Sequence, residues 1–233
     1  MQTLSLHLRT RISSIAGLFF FMLIGGAGAQ PVSFPAVGSL PVITELPDPF
    51  LMADGKRVAT LADWRKRREE LKALILHYEY GHFPPAPTNI QATEISSTSA
   101  LGGKATEKRV RLTMGPESKV SFNVRLLIPT GKPGPFSVLL KNDEKLNEMP
   151  IQEEAIDRGY IVAEFVRVEI APDKAGRTTG VYPLYPDFDW ATVSAWAWGQ
   201  LRVVDYLWTL KYVDTTRIAV TGHSRGGKTA LLA

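Results

Sequence analysis

With 233 residues, 45% apolar and 21% charged, the chain is long enough for one domain with a substantial core, and its composition excludes a fibre, a collagen-like repeat or wholesale disorder. A net charge of +4, two positives of which are Arg9 and Arg11 in an expected leader, is too small to imply a nucleic-acid partner. The absence of cysteine excludes a disulfide framework, a thiolate nucleophile and cysteine metal ligands.

Residues 1–29 read as a signal peptide. Arg9 and Arg11 form its positive start, residues 15–24 an apolar run short for a bilayer, and Ala27-Gly28-Ala29 the small-residue cleavage pattern, so the mature chain is expected to begin at Gln30. The protein is thus expected to be exported, either secreted or periplasmic, with no membrane association after cleavage. Residues 30–50 read as an extended lead-in and Asp54-Gly55 as a turn. Thr60, with Asp63 three residues on, predicts a helix start, and Leu61, Trp64, Leu71, Leu74, Ile75 and Tyr78 give it an apolar stripe expected to pack inward. Gly81 and the prolines at 84, 85 and 87 end it near Tyr80. The basic run 65–68 is followed by Glu69 and Glu70 on the same helix, which predicts a solvated face rather than a nucleic-acid patch.

From about 92 to 128 the apolar period becomes two. Val110, Leu112 and Met114, then Val120, Phe122, Val124 and Leu126, alternate with polar residues and predict an antiparallel pair with one wet face. Residues 136–140 form a short continuous apolar run, expected to be a strand buried on both faces. A helix over 150–158 with Gly159 as its stop, a second buried strand over 160–166, a long loop to Asp189, a helix over 190–210 and a strand over 218–221 follow. Val193, Ala197, Val204 and Trp208 are the expected inner stripe of that last helix. The succession predicts an α/β fold, a mostly parallel sheet fronted by an antiparallel N-terminal strand pair.

Gly222-His223-Ser224-Arg225-Gly226 fits G-x-S-x-G, a pattern that gains weight only between a buried strand and a helix, and both flank it here. A strand-to-helix turn this tight strains the serine backbone and leaves no room for side chains at 222 and 226. It would lift the Ser224 hydroxyl to the carboxyl end of the sheet, with the Arg225 N–H aimed at the oxyanion formed when Ser224 attacks a carbonyl. Ser224 is therefore the candidate nucleophile of an α/β-hydrolase. His223 is expected to be a packing residue or a support behind the site, because the base of this fold follows the nucleophile and its acid in chain order. His77 and His82 precede Ser224 and read as helix-end or surface residues. The expected acid and histidine do not occur by Ala233, so residues 30–233 are expected to be the N-terminal portion of a single hydrolase domain, truncated after the nucleophile turn and inactive as it stands, with an open parallel strand edge and a half-covered core face.

The stretches Asp189-Trp190-Ala191-Thr192, Ala195-Trp196-Ala197-Trp198-Gly199 and Arg202-Val203-Val204-Asp205-Tyr206-Leu207, followed by residues 217–231 with their S-R-x-G-K element, resemble the bacterial glucuronoyl esterases. Leu46-Pro47-Asp48-Pro49, Asp54-Gly55 and Tyr80-Gly81 are similar to the first part of the same family, and the resemblance covers most of 44–233. It implies a cofactor-free and metal-free serine esterase that cleaves the ester between glucuronic acid on xylan and lignin alcohols. Arg225 would help stabilise the oxyanion and Lys228 would contact sugar hydroxyls. One departure is visible: Lys141-Asn142-Asp143-Glu144 stands where a glycine-bearing loop is expected to supply a second oxyanion N–H. An acetyl-xylan or small-ester esterase of the same fold, with Tyr182 and Tyr185 of the 167–189 loop lining its pocket, and a non-catalytic carbohydrate-binding relative are the alternatives.

Overall fold

The computed structural model describes residues 34–146 and 150–233, so the expected leader at 1–29 and the expected start at Gln30 lie outside the described residues. The first helix, α1 (Leu61–Ile75), begins with a reciprocal cap. The Asp63 N–H donates to Thr60 Oγ1 at 3.1 Å, and the Thr60 N–H donates to the Asp63 carboxylate at 3.0 Å. The helix runs on through a π-helical turn, Leu76–Tyr80, and stops at Gly81, whose φ of 67° favours glycine.

The α1 stripe is not an inward-packed face. None of its residues is buried, and Leu61, Leu74 and Ile75 are exposed. Sequence periodicity fixes which side is apolar but not how much chain covers it. Trp64 meets the Phe50 ring at 5.5 Å, and Arg67 donates to the Pro49 carbonyl, so the preceding segment braces one flank. The basic run is partnered by the acids that follow it: Arg67 with Glu70 at 2.9 Å and Arg68 with Glu69 at 3.2 Å.

Six strands, β1 (Gln91–Ala100), β2 (Ala105–Met114), β3 (Val120–Pro129), β4 (Phe136–Asp143), β5 (Tyr160–Val166) and β6 (Val213–Thr221), form one sheet in the order β1-β2-β3-β5-β4-β6. The antiparallel front holds three strands rather than two. β1 pairs with β2, β2 with β3, and β3 joins β5, all antiparallel; parallel pairing is confined to β5–β4 and β4–β6. β1 escapes the periodicity reading because neither of its faces is buried. Its stability comes from pairing with β2 from Gln91↔Thr113 to Ala100↔Ala105, interrupted only by a register shift between Glu94 and Ser96.

Alternating residues of β2 to β5, among them Leu112, Phe122, Val138, Leu140 and Phe165, pack with Trp196, Trp198, Val203 and Leu207 of α3 (Thr192–Leu207) in the main core. On the opposite face α2 (Pro150–Asp157) contributes Ala155 and Ile156, which cover Ala105, Leu127 and Val162. α2 is only two turns long. Hence β4 is buried at Phe136, Val138 and Leu140 but half exposed at Ser137 and Leu139, rather than covered on both sides. β6 is the open edge of the sheet among the described residues, with Ala219 and Val220 exposed.

α3 corrects its expected inner stripe. Ala197 is buried as expected, but Val193 and Val204 are half buried and Trp208 is 58% exposed, whereas Ser194 to Gln200 are buried without a break. One stripe cannot describe a helix covered on several sides. The sheet meets one side, and Ile170 of the loop after β5 presses on Gly199 with no room for a Cβ.

Candidate active site

β6 delivers the chain to Gly222 and α4 (Arg225–Leu232) carries it away. Between them Ser224 adopts φ 53° and ψ −119°, a strained conformation for a residue with a Cβ, and it is solvent-exposed. The turn closes with Gly226 N–H to the His223 carbonyl at 2.8 Å and Gly227 N–H to the Ser224 carbonyl at 2.9 Å. A Cβ at Gly222 would collide with the Gly226 carbonyl, and one at Gly226 would lie 2.9 Å from Asn142 Oδ1. The two flanking glycines are thus steric requirements of the turn. His223 is exposed, so it is not the packing residue expected from sequence.

As the first residue of α4, Arg225 has no acceptor for its N–H within the helix, and that N–H lies at the positive end of the helix dipole. Its guanidinium is half exposed and donates to Asp173 at 2.5 Å, with Glu144 at 3.9 Å. Lys228, exposed one turn further on, shares with Arg225 a cleft of about 400 Å³ whose other wall is Glu79, Tyr80, Ala191, Thr192 and Val193. That wall is held by Tyr80, whose carbonyl accepts from Ala191 N–H at 2.8 Å and Ser194 Oγ at 2.6 Å. Ser224, Arg225 and Lys228 are therefore brought to one end of the sheet by a single turn and helix.

The segment after β4 is a charged one. Asp143 and Glu144 pair with Arg167 at 3.5 and 2.9 Å. Burial would raise the Asp143 carboxyl, but the Glu144 N–H, Lys141 and Arg167 outweigh it and hold that carboxyl below its ordinary value. Arg167 itself is buried, with its guanidinium 4.8 Å from the Trp196 ring centre. Arg167 and Asp173 escape sequence reasoning, and Asn142 and Glu144 enter it only as members of the 141–144 departure, without these contacts. Only Asn142 carries a signal, since it continues the inward alternation of Phe136, Val138 and Leu140. In the 167–189 loop, Tyr182, packed against Trp190, and Tyr185 line with Phe188, Pro183, Pro186 and Arg177 a separate cleft of about 420 Å³. His82 is a surface residue whose ring nitrogen lies 3.2 Å from the Asp189 carboxylate.

A mixed sheet flanked by helices, with a strand–turn–helix at the carboxyl end of its parallel part, defines the α/β-hydrolase fold. The family model described as "Glucuronyl esterase, fungi" matches residues 110–233. The chain is 34% identical to 4-O-methyl-glucuronoyl methylesterase 1 of Wolfiporia cocos, over 89% of this chain and 49% of that protein. It is 32% identical to the 4-O-methyl-glucuronoyl methylesterase of Podospora anserina, over 83% of this chain and 38% of that one. Among solved structures, a glucuronoyl esterase from Solibacter usitatus superposes with a TM-score of 0.70 at 30% identity, covering 84% of this chain and 61% of that one. A glucuronoyl esterase mutant from Sporotrichum thermophile, solved with methyl 4-O-methyl-β-D-glucopyranuronate, superposes with a TM-score of 0.57 at 30% identity, covering 80% of this chain and 48% of that one. The chain belongs to the glucuronoyl esterase family, and it spans half or less of these two curated relatives.

Proposed function

We propose that this chain carries the nucleophile and oxyanion side of an exported carboxylic ester hydrolase that cleaves glucuronoyl esters of plant cell-wall xylan. Ser224 Oγ attacks the ester carbonyl, its proton passes to a histidine, and the tetrahedral oxyanion is met by the Arg225 N–H and guanidinium. Collapse expels the alcohol and leaves an acyl-Ser224 that water hydrolyses to the uronic acid. In this fold the histidine follows the nucleophile in chain order, so the role falls to none of His77, His82 and His223. Lys228 contacts the sugar hydroxyls, and no cofactor or metal takes part.

The observation that carries this reading is the strained, exposed Ser224 between β6 and α4, with a cationic side chain on the next residue. The substrate class comes from the relatives, whose names specify glucuronoyl methyl esters, and from the uronate ester bound in the Sporotrichum enzyme. The second reading is acetylated xylan or a small ester, kept because Lys141-Asn142-Asp143-Glu144 departs from the glycine-bearing loop expected there.

The test is hydrolysis by the complete open reading frame of methyl and benzyl glucuronate, compared with acetylated xylan, with Ser224→Ala as control. Turnover of the uronate esters that vanishes in Ser224→Ala supports the proposal. Undiminished turnover in that variant refutes the mechanism, and activity on acetylated xylan alone replaces the substrate.

A further inference from the structure

Arg225 is the terminus of a chain of alternating charges that begins on the far side of the sheet. Glu107 on β2 pairs with Arg109 at 2.8 Å and lies 3.8 Å from Arg125 on β3. Arg125 is buried and pairs with the equally buried Glu164 on β5. Lys141 on β4 lies 3.7 Å from Glu164 and 3.3 Å from Asp143. Asp143 hands on to Arg167, Arg167 to Glu144, and Glu144 to Arg225, which Asp173 closes off at 2.5 Å. Positive and negative members alternate without exception along this path.

A buried charge held by a neighbour of opposite sign cannot move without leaving that neighbour unpaired, which is costly where water is excluded. The central members of the path are therefore rigid. Arg167 is the pivotal one, pressed on the Trp196 ring and with Nη1 only 3.3 Å from where a Cβ on Gly226 would stand. It pairs with Glu144, and the Arg225 guanidinium is hydrogen-bonded by Asp173 and flanked by Glu144 at 3.9 Å, from two separate segments of the chain. The half-exposed Arg225–Asp173 pair adds little to stability. Its consequence is orientation: a long, flexible cation is held in place before any oxyanion forms.

We propose that Asp173 and Glu144 are positioning residues for Arg225, with Arg167 as the buried anchor of Glu144. The predicted effect on turnover rests on the esterase reading above, whereas the hold on Arg225 does not. The test uses the complete open reading frame with 15N-labelled arginine and has two arms. By NMR, Asp173→Asn and Asp173→Asn/Glu144→Gln are expected to lower the order parameter of Arg225 Nε, and Asp173→Glu to restore it. In kinetics the same variants are expected to lower kcat about ten- to a hundredfold with KM within about twofold, again with rescue by Asp173→Glu. The melting temperature of Asp173→Asn is expected to shift by no more than about 2 °C, as for an exposed ion pair. An unchanged Arg225 order parameter overturns the positioning role. A mobile Arg225 with unchanged kcat overturns its catalytic consequence. Failure of the esterase reading shows separately, as turnover surviving in Ser224→Ala, and leaves the NMR arm intact.

Discussion

The side-chain amide of Asn142 donates to the backbone carbonyl of Gly226 at 3.2 Å, tying the end of β4 to the first turn of α4. The same Nδ2 donates to Gln200 Oε1 at 2.8 Å, so strand, nucleophile turn and α3 meet at one amide that is 1% exposed. Replacing it with an isosteric apolar residue leaves two buried acceptors without their donor. Asn142→Leu is expected to lose about 2–4 kcal/mol in urea unfolding. A loss below about 0.5 kcal/mol, the range of a neutral surface change, would show that this amide is not what fastens the turn.

Gly222→Ala introduces a Cβ that collides with rigid backbone at Gly226 and Gly227, so the turn must open. A loss of about 3 kcal/mol or more is expected, at the upper end of what overpacking costs because the clash is with backbone. Gly55→Ala is the comparison. A Cβ there meets nothing within 4 Å, and only its φ of 82° is unfavourable, which limits the loss to about 1–2 kcal/mol. Equal losses in the two variants would contradict the steric account.

Arg225 and Lys228 share a cleft but are expected to fail differently. On the proposed roles, Arg225→Met would remove charge from the developing oxyanion and should lower kcat about a hundredfold or more. Lys228→Met would remove a ground-state sugar contact and should raise KM for a glucuronate ester while leaving p-nitrophenyl acetate unaffected. Michaelis–Menten analysis on both substrates decides it. A kcat defect on acetate in Lys228→Met would reassign that lysine to the reaction centre.

The His82 backbone N–H donates to the Asp189 carboxylate at 2.6 Å and secures the turn after α1 on the start of α3. Partial burial alone would raise the Asp189 carboxyl, but this bond and the His82 ring outweigh it and hold the carboxyl below its ordinary value of 3.8. A folded-state value depressed in this way stabilises the protein above the unfolded value, and the contribution disappears as pH falls through the folded one. Wild type is therefore expected to melt above Asp189→Asn at pH 7, with the gap closing as the pH falls below about 4. A gap constant from pH 7 to 3 would mean that the carboxylate charge contributes nothing.

The sequence exposed most of the parallel half of the fold because each element there carries its own local rule. β5 is an apolar run broken only by Glu164; Gly159 and Gly81 stop helices at φ 84° and 67°, and Thr60 with Asp63 starts one. The turn at Ser224 was legible for the same reason, since its geometry tolerates only glycine at its two flanks. β1 was not legible, because its order comes from a neighbouring strand rather than from a buried face.

By itself, then, the order of residues determined where chain direction must change and which hydroxyl stands at that change, because tight turns and helix stops are decided by a few adjacent side chains. Only tertiary structure decided what surrounds that hydroxyl. Glu144 comes from the segment after β4 and Arg167 and Asp173 from the loop after β5, and they reach Arg225 through ion pairs whose partners are from 23 to 81 positions apart in the chain. Coulombic attraction depends on distance in space and burial, and neither is written in the spacing of charged residues along a sequence.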